Sequence, residues 1–126
     1  MARIETGIDL IEISRFYEIN PKIKQRFLQR VFTQAEIASG NNRDEYLAGL
    51  FAAKEAGSKA LGTGIGEILW QDLEILADDN GKPCLNLHGN AAKIARSNGW
   101  ISWSVSITHT GILAAAVVTA LIQEQE

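Results

Sequence analysis

Glu55 and Lys59 stand four residues apart in the run Phe51-Ala-Ala-Lys-Glu-Ala-Gly-Ser-Lys-Ala-Leu-Gly-Thr-Gly64. On a helix, that spacing puts a carboxylate and an amine on one face. The run ends in Gly62-Thr63-Gly64, backbone that can approach a phosphate closely. A second carboxylate, Asp9, lies in the apolar stretch Gly7-Ile8-Asp9-Leu10-Ile11. An acid there is costly to bury unless a divalent cation or an Arg compensates it. Two hard oxygen donors, lysines and glycine-rich backbone are the parts that phosphoryl chemistry needs. Mg2+ takes one or two carboxylates together with substrate phosphates. Lysines neutralise charge on a leaving phosphate. The same Glu-to-Lys spacing also describes an ordinary exposed ion pair, worth about 0.2–0.5 kcal/mol.

Other groups carry less. Lys54 falls in the apolar stripe near Phe51, where its stem can pack while its head reaches solvent. His109 and Thr110 follow a strand pattern in Ser106-Ile-Thr-His-Thr-Gly111. That position suits a phosphate or ribose contact, or a plain turn. His88 has no supporting pattern. Cys84 and the two histidines lack zinc-ligand spacing. The glycines do not form a P-loop, because the lysine precedes them and no strand feeds them. No serine sits in a nucleophile elbow.

The elements that must hold these groups follow from periodicity and punctuation. Residues 3–10 read as a strand and residues 12–17 as a short helix. Asn20 and Pro21 open a helix reaching about Arg30. Thr33-Gln-Ala-Glu36 is a capping box for a helix ending near Gly40, followed by a Gly40-Asn41-Asn42 loop. Residues 43–61 carry the longest helical pattern. Leu47, Leu50, Phe51, Gly57 and Leu61 form one stripe; Ala48, Ala52, Glu55 and Lys59 form another. The alanines would leave room for a ligand beside the two charges, and Gly62 would end the helix. Strands are expected at 68–70 and 73–77. Asp79-Asn-Gly-Lys-Pro83 then returns residues 84–87 as a hairpin. A helix over 90–97 and strands over 100–108 and 113–121 complete one α+β domain spanning residues 1–126. Its sheet is mainly antiparallel and its long helix central.

Bulk properties set limits. The chain has 126 residues, 46% hydrophobic and 21% charged, with a net charge of −3 and a pI near 5.4. That size and composition bury a real core, and the charge gives no pull toward nucleic acid. Arg15, Lys22, Lys24, Arg26 and Arg30 nevertheless crowd one segment opposed only by Glu18. Such a patch suits a specific acidic partner, or is simply a solvated face. The lone Cys84 reads as small buried packing and suits a reducing cytoplasm. The apolar run 111–122 is too short to span a membrane.

Taken together, the segments resemble the holo-acyl-carrier-protein synthases, the short type of phosphopantetheinyl transferase. The resemblance rests on Gly7-Ile8-Asp9 with Arg15 downstream, Phe32-Thr-Gln-Ala-Glu36, the 51–64 run, Gly81-Lys82-Pro83 and Ser106-Ile-Thr-His-Thr110. It implies transfer of 4′-phosphopantetheine from coenzyme A to a carrier-protein serine, releasing 3′,5′-ADP, in fatty acid biosynthesis. It makes Asp9 and Glu55 the Mg2+ ligands and Lys59 the group that stabilises or protonates the leaving phosphate. Glu55 or a metal-activated water would take the serine proton. Lys54, Gly62, Thr63, Gly64, His109 and Thr110 would contact the nucleotide. Arg15, Lys22, Arg26 and Arg30 would dock the acidic acyl carrier protein. The family forms homotrimers with sites between subunits. One position departs from the family: Leu50 stands where an Arg is common, so that contact is lost or passes to a residue such as Arg43. A non-catalytic nucleotide-binding scaffold of the same fold, or a transferase for polyketide or peptide-synthetase carriers, would carry the same motifs.

Overall fold

The computed structural model describes residues 1–40 and 43–124. Asn41 and Asn42, in the expected 40–42 loop, lie outside the described residues. The chain runs β1 (Ala2–Glu12), α1 (Ser14–Tyr17), α2 (Pro21–Val31), α3 (Gln34–Gly40) and α4 (Asp44–Leu61). A 3₁₀ turn at Trp70–Asp72 precedes β2 (Leu73–Ala77) and β3 (Pro83–Leu87). Then come α5 (Gly89–Ser97), β4 (Trp100–His109) and β5 (Leu113–Gln123). The three long strands form one antiparallel sheet in the order β1-β5-β4, and β2 pairs with β3 as a separate hairpin. The expected α+β arrangement around a long central helix is what forms.

The starts and stops follow local chemistry. The Asn20 side chain accepts from Lys22 N at 3.0 Å, with Pro21 at the first turn of α2. Thr33 and Glu36 exchange the two bonds of a capping box, at 2.9 and 3.2 Å. α4 ends at Gly62, whose φ of 79° places it in the left-handed region. Three sequence expectations fail. Residues 68–70 are not a strand, because Leu69 N donates to the Asp72 carboxylate and the chain turns there instead. Cys84 is exposed on the outer side of the hairpin, while its neighbour Leu85 is buried. The alanine stripe of α4 does not border ligand space. Ala48, Ala52, Ala53 and Ala56 are fully buried.

Those alanines let α4 lie down on the sheet. β1 alternates, and Gly7 and Ile11 are buried on the face toward α4. A Cβ at Gly7 would sit 1.9 Å from Ala56 O and 2.7 Å from Ala60 N. Only glycine permits this approach. Asp9, two residues further along the same face, is thereby brought up against the last turns of α4.

A second anchor is polar. Lys54 and Glu36 are both fully buried, with Nζ to Oε1 at 2.8 Å. Lys54 Nζ also donates to Leu73 O at 2.6 Å and Trp70 O at 3.1 Å. The other Glu36 oxygen accepts from Ile75 N at 2.9 Å. Three protons of the ammonium and both carboxylate oxygens thus have partners, the condition under which a buried pair is tolerated. This ties α3, the 3₁₀ turn and β2 to α4.

The far face of the large sheet is open. Ile4, Ile8 and Leu10 of β1 are about two-thirds exposed, and Leu121 of β5 is partly so. Among the described residues no helix is long and apolar enough to cross a membrane.

Gly7→Ala should lower unfolding stability by about 3 kcal/mol, because the clash is with backbone and nothing flexible can yield. Urea denaturation monitored by circular dichroism checks this.

Candidate active site

Lys59 meets Asp9 where β1 crosses the C-terminal half of α4, within the electrostatic reach of Glu55. The Lys59 ammonium donates to Asp9 Oδ1 at 3.2 Å and to Ile8 O at 2.9 Å. The partner that compensates Asp9 is therefore Lys59 rather than an Arg, and Lys59 turns to Asp9 rather than pairing with Glu55. The Lys59 side chain is about half exposed (53%), so its charge still faces solvent. Glu55 lies one turn earlier on the same helix face. Burial pushes its pKa up, the Asp9 charge pushes it further, and Lys59 and Arg15 pull it down. Two carboxylates thus repel each other at the helix–strand crossing. Hard oxygen donors held close enough to repel, with water on one side, fit a small divalent cation. Among the described residues no group of three or more His, Cys, Asp or Glu gathers, so a cation here needs donors from substrate or water.

The glycine turn after α4 is more committed than its sequence implies. Gly62 N–H donates to Ser58 O at 3.0 Å, and Thr63 N–H to the same carbonyl at 3.2 Å. These bonds cap the helix, leaving neither amide free for a phosphate. The Thr63 hydroxyl is buried without a hydrogen-bond partner among the described residues. Gly64 is exposed with φ of 69°. Lys54 does not reach solvent. Its ammonium is sealed with Glu36 beneath the Phe32 ring, and burial lowers its pKa against the pull of Glu36. That takes Lys54 away from any nucleotide and gives it the structural role described above.

His109 and Thr110 lie elsewhere. Asp9 is in register with Ala116, and Ala116 with Ile107, so two strand spacings, about 10 Å, separate Asp9 from β4. Exposed His109 borders a cavity of about 310 Å³ beside the N-terminal half of α4, with Glu45, Tyr46, Leu50, Gly81 and Pro83. Leu50 is buried in its wall. Arg43, the expected substitute for the missing Arg, donates to Gly40 O at 3.4 Å and lies over the Tyr46 ring. The Thr110 hydroxyl accepts from Ile112 N and Leu113 N, holding the β4–β5 turn. Within one chain, then, the carboxylate pair and the histidine cavity occupy different flanks of α4.

Arg15, Lys22, Arg26 and Arg30 are exposed, and among the described residues none forms an ion pair. Lys24 instead bonds Asp44 at 2.5 Å and ties α2 to α4. The influence of Arg15 on Glu55 places it at the site's edge as well as in the basic patch. Sequence reasoning missed a second cluster, in which Thr33 Oγ1 donates to Glu74 at 2.6 Å and His88 Nε2 lies 3.0 Å from the same carboxylate. The Thr33 bond, with His88, holds the Glu74 pKa below its ordinary value. Only the capping-box role of Thr33 had a sequence signal.

Residues 5–117 match the model of the 4′-phosphopantetheinyl transferase superfamily. The holo-[acyl-carrier-protein] synthase of Moorella thermoacetica is 46% identical over 117 residues, covering 90% of this chain and 91% of that one. The chain belongs to the holo-[acyl-carrier-protein] synthase family. The Herpetosiphon aurantiacus synthase is 42% identical, covering 92% and 97%. The Helicobacter pylori synthase, solved in complex with coenzyme A, superposes with a TM-score of 0.83 at 34% identity, covering 91% of this chain and 98% of that one. Membership makes the chain a transferase and accounts for its fold.

Glu55→Gln removes a partly buried charge together with its repulsion by Asp9. A carboxyl whose pKa is raised by folding costs stability above that pKa and costs none below its ordinary value of 4.5. In metal-free buffer, Glu55→Gln should therefore melt higher than the parent at neutral pH. The gap should close as pH falls through the ordinary carboxylate range. Thermal melts from pH 4 to 8 check it.

Proposed function

We propose that this chain transfers 4′-phosphopantetheine from coenzyme A to a serine of apo acyl carrier protein, releasing 3′,5′-ADP, with Mg2+ held by Asp9 and Glu55. The observation that carries the reading is the carboxylate pair against Lys59 at the β1–α4 crossing. The names of the relatives and the coenzyme A complex of the Helicobacter pylori synthase support the substrates.

The chemistry follows from the residues. The carrier serine oxygen attacks the β-phosphorus in line, and the phosphoanhydride bond to the ADP side breaks. When bound, Mg2+ supplies charge neutralisation and orientation of the pyrophosphate. Asp9 and Glu55 would hold it through their carboxylate oxygens. Lys59, tethered by Asp9 and Ile8 O, offers its ammonium to the departing phosphate as negative charge builds there. The serine proton passes to Glu55 or to water beside it. Arg15, Lys22, Arg26 and Arg30 would steer an acidic carrier to α1 and α2. Thr63, Gly64 and His109 remain candidates for nucleotide contact, and Gly62 and Thr110 shape the turns that present them.

The separation of His109 from Asp9 is explained if the working site is shared. A second and third copy covering the open sheet face at Ile4, Ile8 and Leu10 would form a homotrimer and bury those side chains. The His109 cavity of one copy would then adjoin the carboxylates of its neighbour. The one domain would act in the cytoplasm, in fatty acid biosynthesis.

Incubation with coenzyme A, Mg2+ and apo carrier should add the mass of one phosphopantetheine to the carrier. Asp9→Asn and His109→Ala should each transfer slowly. Refolding the two variants together should restore part of the rate, because mixed assemblies contain intact sites. No mass gain across fatty-acid and secondary-metabolism carriers refutes the activity. Gain without restoration refutes the shared site.

A further inference from the structure

The hairpin of β2 and β3 supplies Ile75, Ala77, Gly81 and Pro83 to the wall of the His109 cavity. We propose that His88, Glu74 and Thr33 form a proton-operated clasp at the base of this hairpin. It holds the cavity wall firmly when the imidazole is charged and loosely when it is neutral.

The clasp joins three elements. Glu74 lies on β2, opposite Asn86 of β3. One of its carboxylate oxygens accepts from the Thr33 hydroxyl at 2.6 Å, at the start of α3. The other lies 3.0 Å from Nε2 of His88, the residue that opens α5. The Glu74 side chain is 15% exposed and that of His88 is 54% exposed. The carboxylate is thus largely withdrawn from water, while the imidazole exchanges protons with it freely. A neutral imidazole offers an ordinary N–H; a charged one makes a bond roughly twice as strong. The Thr33 hydroxyl also accepts from Glu36 N at 3.2 Å, and Glu36 in turn holds Lys54 and Ile75 N. The exposed histidine is therefore continuous with the buried anchor of α4. The middle of the hairpin has a fixed bond of its own, from Trp103 Nε1 of β4 to Leu85 O at 2.8 Å.

Charged groups approach the imidazole from several elements. Glu74 faces it from β2. His88 N–H donates to Asp72 O of the 3₁₀ turn at 2.9 Å, and a Cβ on the adjoining Gly89 would lie 2.7 Å from Asp72 Oδ1. A second carboxylate thus stands at the start of α5, against the positive end of the helix dipole. Glu36 of α3 and Lys54 of α4 pair with each other. Glu67 and, on α5 itself, Lys93 are exposed. Both ends of the clasp are charged only within a window of pH. The Thr33 bond first, then His88 and Lys54, outweigh burial and hold the Glu74 pKa below its ordinary 4.5. A carboxyl lowered in this way contributes fully above 4.5 and loses its contribution as pH falls through the folded value. Imidazoles lose their proton between about pH 5 and pH 8. The clasp is therefore complete near the lower limit and slack near the upper one.

Hydrogen exchange at single amides of the full chain tests this, with rates corrected for the intrinsic effect of pH. His88 is more than half exposed, so replacing it leaves the core intact. Protection of the β2 and β3 amides is read relative to those of β1 and β5, which cancels any general change in stability. In the parent, this relative protection should be about threefold higher at about pH 5.5 than at about pH 8. His88→Gln should abolish the dependence and show the lower protection at both values. His88→Lys, which keeps a cation throughout, should retain the higher protection at the upper value. Equal relative protection in parent and His88→Gln at both values would overturn the clasp. A lysine variant as loose as the glutamine variant at the upper value would overturn the role of charge, and the proposal with it.

Discussion

The site depends on how closely α4 approaches β1. At Gly7 there is no room for even a methyl group against the Ala56 carbonyl. That contact fixes the height of the helix above the sheet, and the strand's two-residue repeat then delivers Asp9 to the same face. Were the helix lifted by the size of a side chain, Lys59 could not reach both Asp9 and Ile8 O. The alanines along α4 serve the same end. Small side chains on the helix and a glycine on the strand exchange packing volume for proximity of charged groups.

The cost of that arrangement is visible in its electrostatics. Two carboxylates sit near each other with a single ammonium bridging to one of them. Partial burial first, and the Asp9 charge second, make Glu55 hold its proton more tightly than a free glutamate. The fold keeps this strained cluster in place with a rigid polar anchor on the other side of α4. Lys54, adjacent to Glu55 in sequence, is buried against Glu36 with every proton placed. Neighbouring residues of one helix therefore differ: Lys54 locks the helix into the core, and Glu55 faces the charged crossing with β1.

Much of this was legible in the sequence because punctuation was strong. Asn20-Pro21, the Thr33–Glu36 box and Gly62 each set a helix end by local bonds that the structure contains. Alternation identified the long strands for the same reason, since one face of each packs on α4. What stayed hidden is long-range. Nothing near Lys54 in sequence announces Glu36, eighteen residues away, so a buried lysine read as one that reaches solvent. The Glu55–Lys59 spacing was correct for a helix face, yet Asp9, fifty residues from Lys59, won the ammonium. The alanine stripe looked like ligand space because periodicity does not reveal what covers a face. Exposed Cys84 misled in the same way: a cysteine in a strand says nothing of which side of the hairpin it takes.

The proposed chemistry rests on Asp9 and Glu55 together forming one cation site. Crystals of the full chain grown with Mn2+ and 3′,5′-ADP would test it most directly by anomalous diffraction. A single strong peak should lie within bonding distance of both carboxylates. A peak away from them, or none while the nucleotide is clearly bound, would contradict it.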